Sequence, residues 1–155
     1  MRKTLATAVF LLALAFAAQA VAGAVPGQAQ VQMKTILGEL GGDDFAYVPT
    51  YLPRGYKYDS FNATTGSNEI AVSSTKLGPN SMLFSVGPTA RKAANCGKGS
   101  IGAAHLHGVT VYLARGGAWR CVKAPSGHLV VVTVIGRGVT RSELGQVAAS
   151  AVRAR

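Results

Sequence analysis

The residues best equipped for chemistry are two cysteines, Cys96 and Cys121, and three histidines, His105, His107 and His128. A thiol at Cys96 beside a histidine base could act as a nucleophile, but that chemistry needs a third group to orient the base, and the sequence offers none at a fitting spacing. A lone pair of cysteines in an oxidising compartment instead predicts a disulfide between Cys96 and Cys121. Closing a loop of about 26 residues would restrict the unfolded chain by roughly 3 kcal/mol in the chain-entropy account, so the bond would be structural.

His105 and His107 stand at i and i+2, which in a strand places both on one face, and His128 opens a later strand that could lie beside them. A two- or three-histidine metal site is the sharp interpretation. No acidic residue lies nearby and no zinc spacing matches, so the three are expected to be ordinary strand histidines, with neither metal nor cofactor. Carboxylates are scarce: residues 91–155 hold only Glu143, which removes a paired acid and base from that half. Asp43 and Asp44 read as a solvated pair beside a turn. A nucleophile elbow, a phosphate loop and a metallopeptidase helix are all missing.

Charge is the stronger signal. The formal net charge is +10, and it falls to +8 if Arg2 and Lys3 are removed with a leader. Residues 23–90 balance to −1, whereas residues 91–155 carry ten basic side chains against Glu143, a balance of +9. Such asymmetry favours an anionic partner through attraction that salt weakens. The candidate anion-binding residues are Arg91, Lys92 and Lys98 in the densest basic stretch, together with Arg115, Arg120 and Lys123. An anionic envelope polymer or lipid head group fits better than nucleic acid, because no run of stacking aromatics lies among the bases.

The elements that must position these groups begin with an export signal. Residues 1–22 combine Arg2 and Lys3, an apolar run from Leu5 to Ala18, and small residues at Ala18, Ala20 and Ala22, the three parts of a secretory signal peptide cut after Ala20 or Ala22. The apolar run is about 14 residues, roughly 21 Å as a helix, short of the about 20 residues that a membrane span needs. No later run reaches that length, so the product is expected to be secreted or periplasmic, within the cell envelope, with no transmembrane helix.

At 155 residues, 48% hydrophobic and 14% charged, the chain is too apolar for disorder and has the size of one domain. Residues 23–44 read as a linker and short helix, and residues 45–155 as an α+β domain. Met33, Ile36, Leu37 and Leu40 make a helical stripe over about 29–40, stopped by Gly41 and Gly42. Leu52-Pro53-Arg54-Gly55 predicts a tight turn with Pro53 second and Gly55 fourth.

Alternation of period two then predicts six strands, around Tyr56, Ile70, Phe84, Val111, Trp119 and Val132. Turns are expected at Thr65–Asn68, Gly78–Asn80, Arg115–Gly117 and Pro125–Gly127. Leu129 to Ile135 is apolar on both faces, as in a central strand covered on both sides, and Tyr56, Tyr58 and Trp119 are expected in the core. Thr140 and Glu143 form a capping box for a helix over roughly 141–153, whose dipole Arg153 and Arg155 would complement. The fold class is α+β, one antiparallel sheet of about six strands with a helix at each end.

Three segments resemble the small extracytoplasmic domain family DUF4367, found alone or attached to anti-sigma-like proteins. They are Tyr51-Leu52-Pro53-Arg54-Gly55-Tyr56, Gly108-Val109-Thr110-Val111-Tyr112 with the later Trp119, and Ser142-Glu143-Leu144 through Ala148-Ala149-Ser150. The resemblance covers about residues 45–152 and implies a noncatalytic envelope domain distantly similar to lipoprotein carriers. The basic segment around Cys96 departs from the family's pattern. The expected function is an exported noncatalytic domain that binds an anionic envelope component or acts as a sensor. The alternatives are a small secreted enzyme using Cys96 or His105 and His107, and a subunit whose amphipathic N-terminal helix packs on a partner.

Overall fold

The computed structural model describes residues 25–155, so the expected signal peptide at 1–22 lies outside the described residues. Helix α1 (Gly27–Glu39) is followed by β1 (Tyr47–Pro49), β2 (Tyr56–Ala63), β3 (Asn68–Ser74) and β4 (Gly78–Pro88). After a long connection come β5 (Gly102–Leu106), β6 (Val109–Ala114), β7 (Gly117–Lys123) and β8 (Leu129–Gly136), then α2 (Arg141–Ala149) and β9 (Ala151–Arg153). Seven strands form one antiparallel sheet in the order β2-β3-β4-β8-β7-β6-β5, and β1 pairs with β9 in a separate ribbon. The α+β class and the antiparallel sheet stand as expected, with one more strand in the sheet and a second small sheet.

One face of the large sheet holds the core. Ile70, Val72, Met82, Phe84, Val86, Val111, Ala118, Val130, Val132 and Val134 are buried there with Leu144, Val147 and Ala148 of α2. From α1, Met33 and Leu37 join the same cluster, one helical turn apart. That helix ends where the stripe ends: the Gly42 amide donates to Leu37 O at 2.7 Å and the Gly41 amide to Gly38 O at 3.1 Å, the two bonds of a Schellman cap. Thr140 caps α2 as its spacing predicts, with the Glu143 amide donating to Thr140 Oγ1 at 3.2 Å and the Thr140 amide to Glu143 Oε2 at 2.9 Å.

Several expectations need correction. The turn after Leu52 is shifted by one residue: the Tyr56 amide donates to Pro53 O at 3.0 Å, and Gly55 takes the third position with φ +86°. A positive φ at that position is what a type II turn demands and what glycine supplies. Gly78-Pro79-Asn80 is not a turn but the start of β4. The chain reverses earlier, where Ser74 Oγ accepts from the Lys76 and Leu77 amides at 3.2 and 3.4 Å. Pro79 is tolerated because the ladder breaks there, its register jumping from Ser74↔Gly78 to Val72↔Met82.

The β8 strand is central, but only its helix side is sealed. On the opposite face Val131 and Thr133 are half-buried and Ile135 is 51% exposed, because both helices lie on one side of the sheet. Trp119 shares that outer face, register-paired with Thr133, and is therefore outside the main core. Tyr56 and Tyr58 do pack against the core, partly buried.

Helix α2 stops at Ala149, short of the expected end. Ser150 Oγ accepts from the Thr50 and Tyr51 amides, each at 3.2 Å, and the chain then continues as β9 against β1. That ladder offers the backbone partners that a longer helix would forgo. Arg153 accordingly sits 5.8 Å over the Tyr47 ring, and the Arg155 amide reaches Gln30 Oε1 at 3.4 Å, so neither serves a helix dipole.

Candidate functional site

The chain must pass from β4, third in the sheet, to β5 at its far edge, four strand spacings or about 19 Å away. With the helices on the other face, residues 89–101 cross the outer one. The crossing is pinned at its middle by the disulfide Cys96–Cys121, whose Cα atoms are 6.1 Å apart. Two side chains converge on one carbonyl beside it: Cys96 O accepts from Trp119 Nε1 at 2.8 Å and from Arg91 Nη1 at 2.9 Å.

The Arg91 guanidinium also lies 5.7 Å from the Trp119 ring centroid, a cation–π distance, and Trp119 stands 6.0 Å from Tyr112. Gly97 rests on Tyr112 so closely that a Cβ there would come within 2.3 Å of the ring. The loop rejoins the sheet where the Ile101 amide donates to Leu113 O at 2.9 Å. Beside this layer a shallow cavity of about 290 Å³ is lined by Thr89, Arg91, Trp119, Val131 and Thr133.

The six candidate anion-binding residues do not form one patch. Lys92 and Lys98 are exposed on the crossing loop, and Lys123 is exposed two residues beyond Cys121 on the same strand face. Arg91 is turned onto Trp119, and Arg115 sits exposed in the turn between β6 and β7. Arg120 points to the helix side, since alternation along β7 sets it opposite Trp119 and Cys121. Among the described residues no lysine or arginine forms an ion pair with a carboxylate.

The histidines are dispersed. His105 lies in β5, and His107 occupies the following two-residue turn with φ 50°, next to Gly108 at φ 78°, so the two do not share a strand face. A sheet that interposes β6 and β7 between β5 and β8 also keeps His128 away from them. Instead His128 Nδ1 lies 3.7 Å from Asp44. Asp44 is not a freely solvated carboxylate: it is half-buried and accepts from the Ser126 hydroxyl and, at 3.3 Å, from the Ser126 amide, clamping the turn between β7 and β8. Among the described residues no group of three or more His, Cys, Asp or Glu could hold a metal ion.

On the helix side, a groove of about 650 Å³ opens between the end of α2, the β1–β9 ribbon and the β5–β6 turn. Its walls include Tyr51, Val109, Ala149 and Val152, and its polar members are Thr50, His107, Arg120, Gln146 and Ser150. Arg120 Nη2 donates to Ala151 O, while Nε is buried without an acceptor among the described residues. Burial pushes the Arg120 guanidinium pKa down, and nearby Tyr47 opposes that shift. The Tyr51 phenol is pushed up, first by burial and then by the negative charge of Glu143.

No local pattern marks this groove, because Thr50 and Tyr51 meet Ser150 across about a hundred residues only through a three-residue ribbon. No family model matches the chain, and no curated protein or solved structure does either.

Proposed function

We propose that the protein is a noncatalytic domain of the DUF4367 type that works outside the cytoplasm and binds an anionic envelope component, a polymer or a lipid head group, through its stapled loop. The observation that carries this reading is the placement of Lys92, Lys98 and Lys123 around the Cys96–Cys121 bond, exposed and, among the described residues, without carboxylate partners. A loop held by a cross-link, an indole and a stacked arginine presents its lysines with less conformational freedom to lose on binding than a mobile loop would. The leader-like residues 1–22 and the cysteine pair agree with an oxidising compartment. The described residues include no helix long and apolar enough to cross a membrane.

A small enzyme built on Cys96 is the weaker alternative, because the sulfur is bonded to Cys121 and offers no thiolate. An enzyme built on His105 and His107 lacks the shared face that would let them act together.

Co-sedimentation with phosphatidylglycerol vesicles, phosphatidylcholine vesicles and cell-wall fragments tests the proposal. Binding to an anionic surface at low ionic strength, lost as salt shortens the Debye length from about 30 to 8 Å, is the expected result. The triple variant K92E/K98E/K123E should abolish it. Absence of binding to every anionic surface at low salt would overturn the reading.

A further inference from the structure

Arginine is rarely left inside a protein without a carboxylate, and its guanidinium fork matches an anion of two oxygens. Arg120 has no ion-pair partner among the described residues, and it uses one nitrogen on Ala151 O and keeps Nε buried without an acceptor. Arg153, across the same short ribbon but not in the groove's lining, also has its Nη1 buried and, among the described residues, unpartnered. Such donors leave the guanidinium charge poorly solvated, and an anion meeting the part of Arg120 that lines the groove relieves some of that cost.

Around Arg120 the walls are mostly apolar, with the Tyr51, Val109, Ala149 and Val152 side chains, and none of the lining residues is acidic. A volume of 650 Å³ suits a small organic ligand rather than a bare inorganic ion. We propose that this groove is a binding site for a small carboxylate with an apolar body, its carboxylate meeting the Arg120 guanidinium and its body lying against Tyr51, Val109 and Val152. The site is on the opposite side of the sheet from Lys92 and Lys98 and stands independently of the loop's role.

The test is a titration of the disulfide-bonded protein with 4-butylbenzoate, 4-butylbenzyl alcohol and inorganic phosphate, followed by nitrogen-proton NMR. Expected are saturable shifts of the Arg120 Nε–H and of the Tyr51, Ala149 and Val152 amides with the benzoate, and weaker binding of the other two probes. Arg120→Gln should weaken benzoate at least about tenfold while leaving the alcohol unchanged, since only the charged contact is lost. Val152→Trp, at a position 44% exposed, fills the groove without touching the core and should weaken both organic probes.

The K92E/K98E/K123E variant should bind benzoate as the parent does, which separates this site from the loop. Absence of saturable shifts up to about 10 mM benzoate, corresponding to less than about 3 kcal/mol of binding, would overturn the proposal. Equal affinity for acid and alcohol, benzoate binding unaltered by both groove substitutions, or phosphate binding as tight as benzoate would also overturn it.

Discussion

The indole nitrogen of Trp119 donates to the carbonyl of Cys96 at 2.8 Å, and Trp119 stands two positions before Cys121, the cysteine to which Cys96 is bonded. Covalent and hydrogen-bonded tethers therefore hold the same point of the crossing loop, and the loop is a fixed layer on the outer face. Breaking the disulfide by reduction, or by Cys96→Ser with Cys121→Ser, should lower stability by about 3 kcal/mol. Denaturant melts give the loss, and Trp119 emission should shift to the red and become more open to a neutral quencher.

Gly97 has no room for a side chain, since a Cβ would lie 2.3 Å from the Tyr112 ring. Gly97→Ala should cost about 1–3 kcal/mol by overpacking, measured by urea denaturation. Adding Tyr112→Ala removes the obstacle, so the two substitutions should be strongly non-additive.

The cap on α2 fixes the helix that covers β6, β7 and β8. Thr140→Ala removes the acceptor for the Glu143 amide and should destabilise by about 1 kcal/mol, with thermal unfolding as the readout. Thr140→Ser should keep most of that contribution, because the hydroxyl remains in reach.

Two tyrosines predict an alkaline limit. Tyr51 and Tyr58 both have folded pKa values raised above the ordinary 10.0, by burial first and then by Glu143 and Asp59 respectively. Below pH 10 both states keep the proton and the contribution is fully present. As pH rises through the raised folded values, the unfolded state ionises first and stability falls. Tyr51→Phe and Tyr58→Phe should each flatten that decline, with tyrosinate absorbance and denaturation midpoints followed together.

Six of the nine strands among the described residues were legible because their apolar residues alternate, and α2's start was legible because a capping box is a local event. The rest depends on backbone pairing that leaves no alternating side-chain pattern. Strand β5, Gly102-Ala-Ala-His-Leu106, has small residues where alternation should show and is a strand only because β6 pairs with it. In β2 the register slips between Tyr58 and Ser60, which turns Phe61 back to the core three residues after Tyr58 and hides it from a period-two pattern. Three-residue β1 and β9 carry no pattern at all.

The candidate site was legible in the same uneven way. Two cysteines alone fixed the cross-link, and composition located the basic half. Alternation alone puts Arg120 and Trp119 on opposite faces of β7, but which face the helices cover and which the crossing loop covers was hidden in a string of residues.

The bond between Cys96 and Cys121 encloses β5 and β6 within a covalent ring. Strand β5 is the last in the sheet, and Gly102–Leu106 includes no lysine, glutamate or proline, the residues that commonly deter a second chain from adding itself there. The ring keeps that rim from peeling off as an open template. Resistance to aggregation on storage should thus follow oxidation state more closely than melting temperature does.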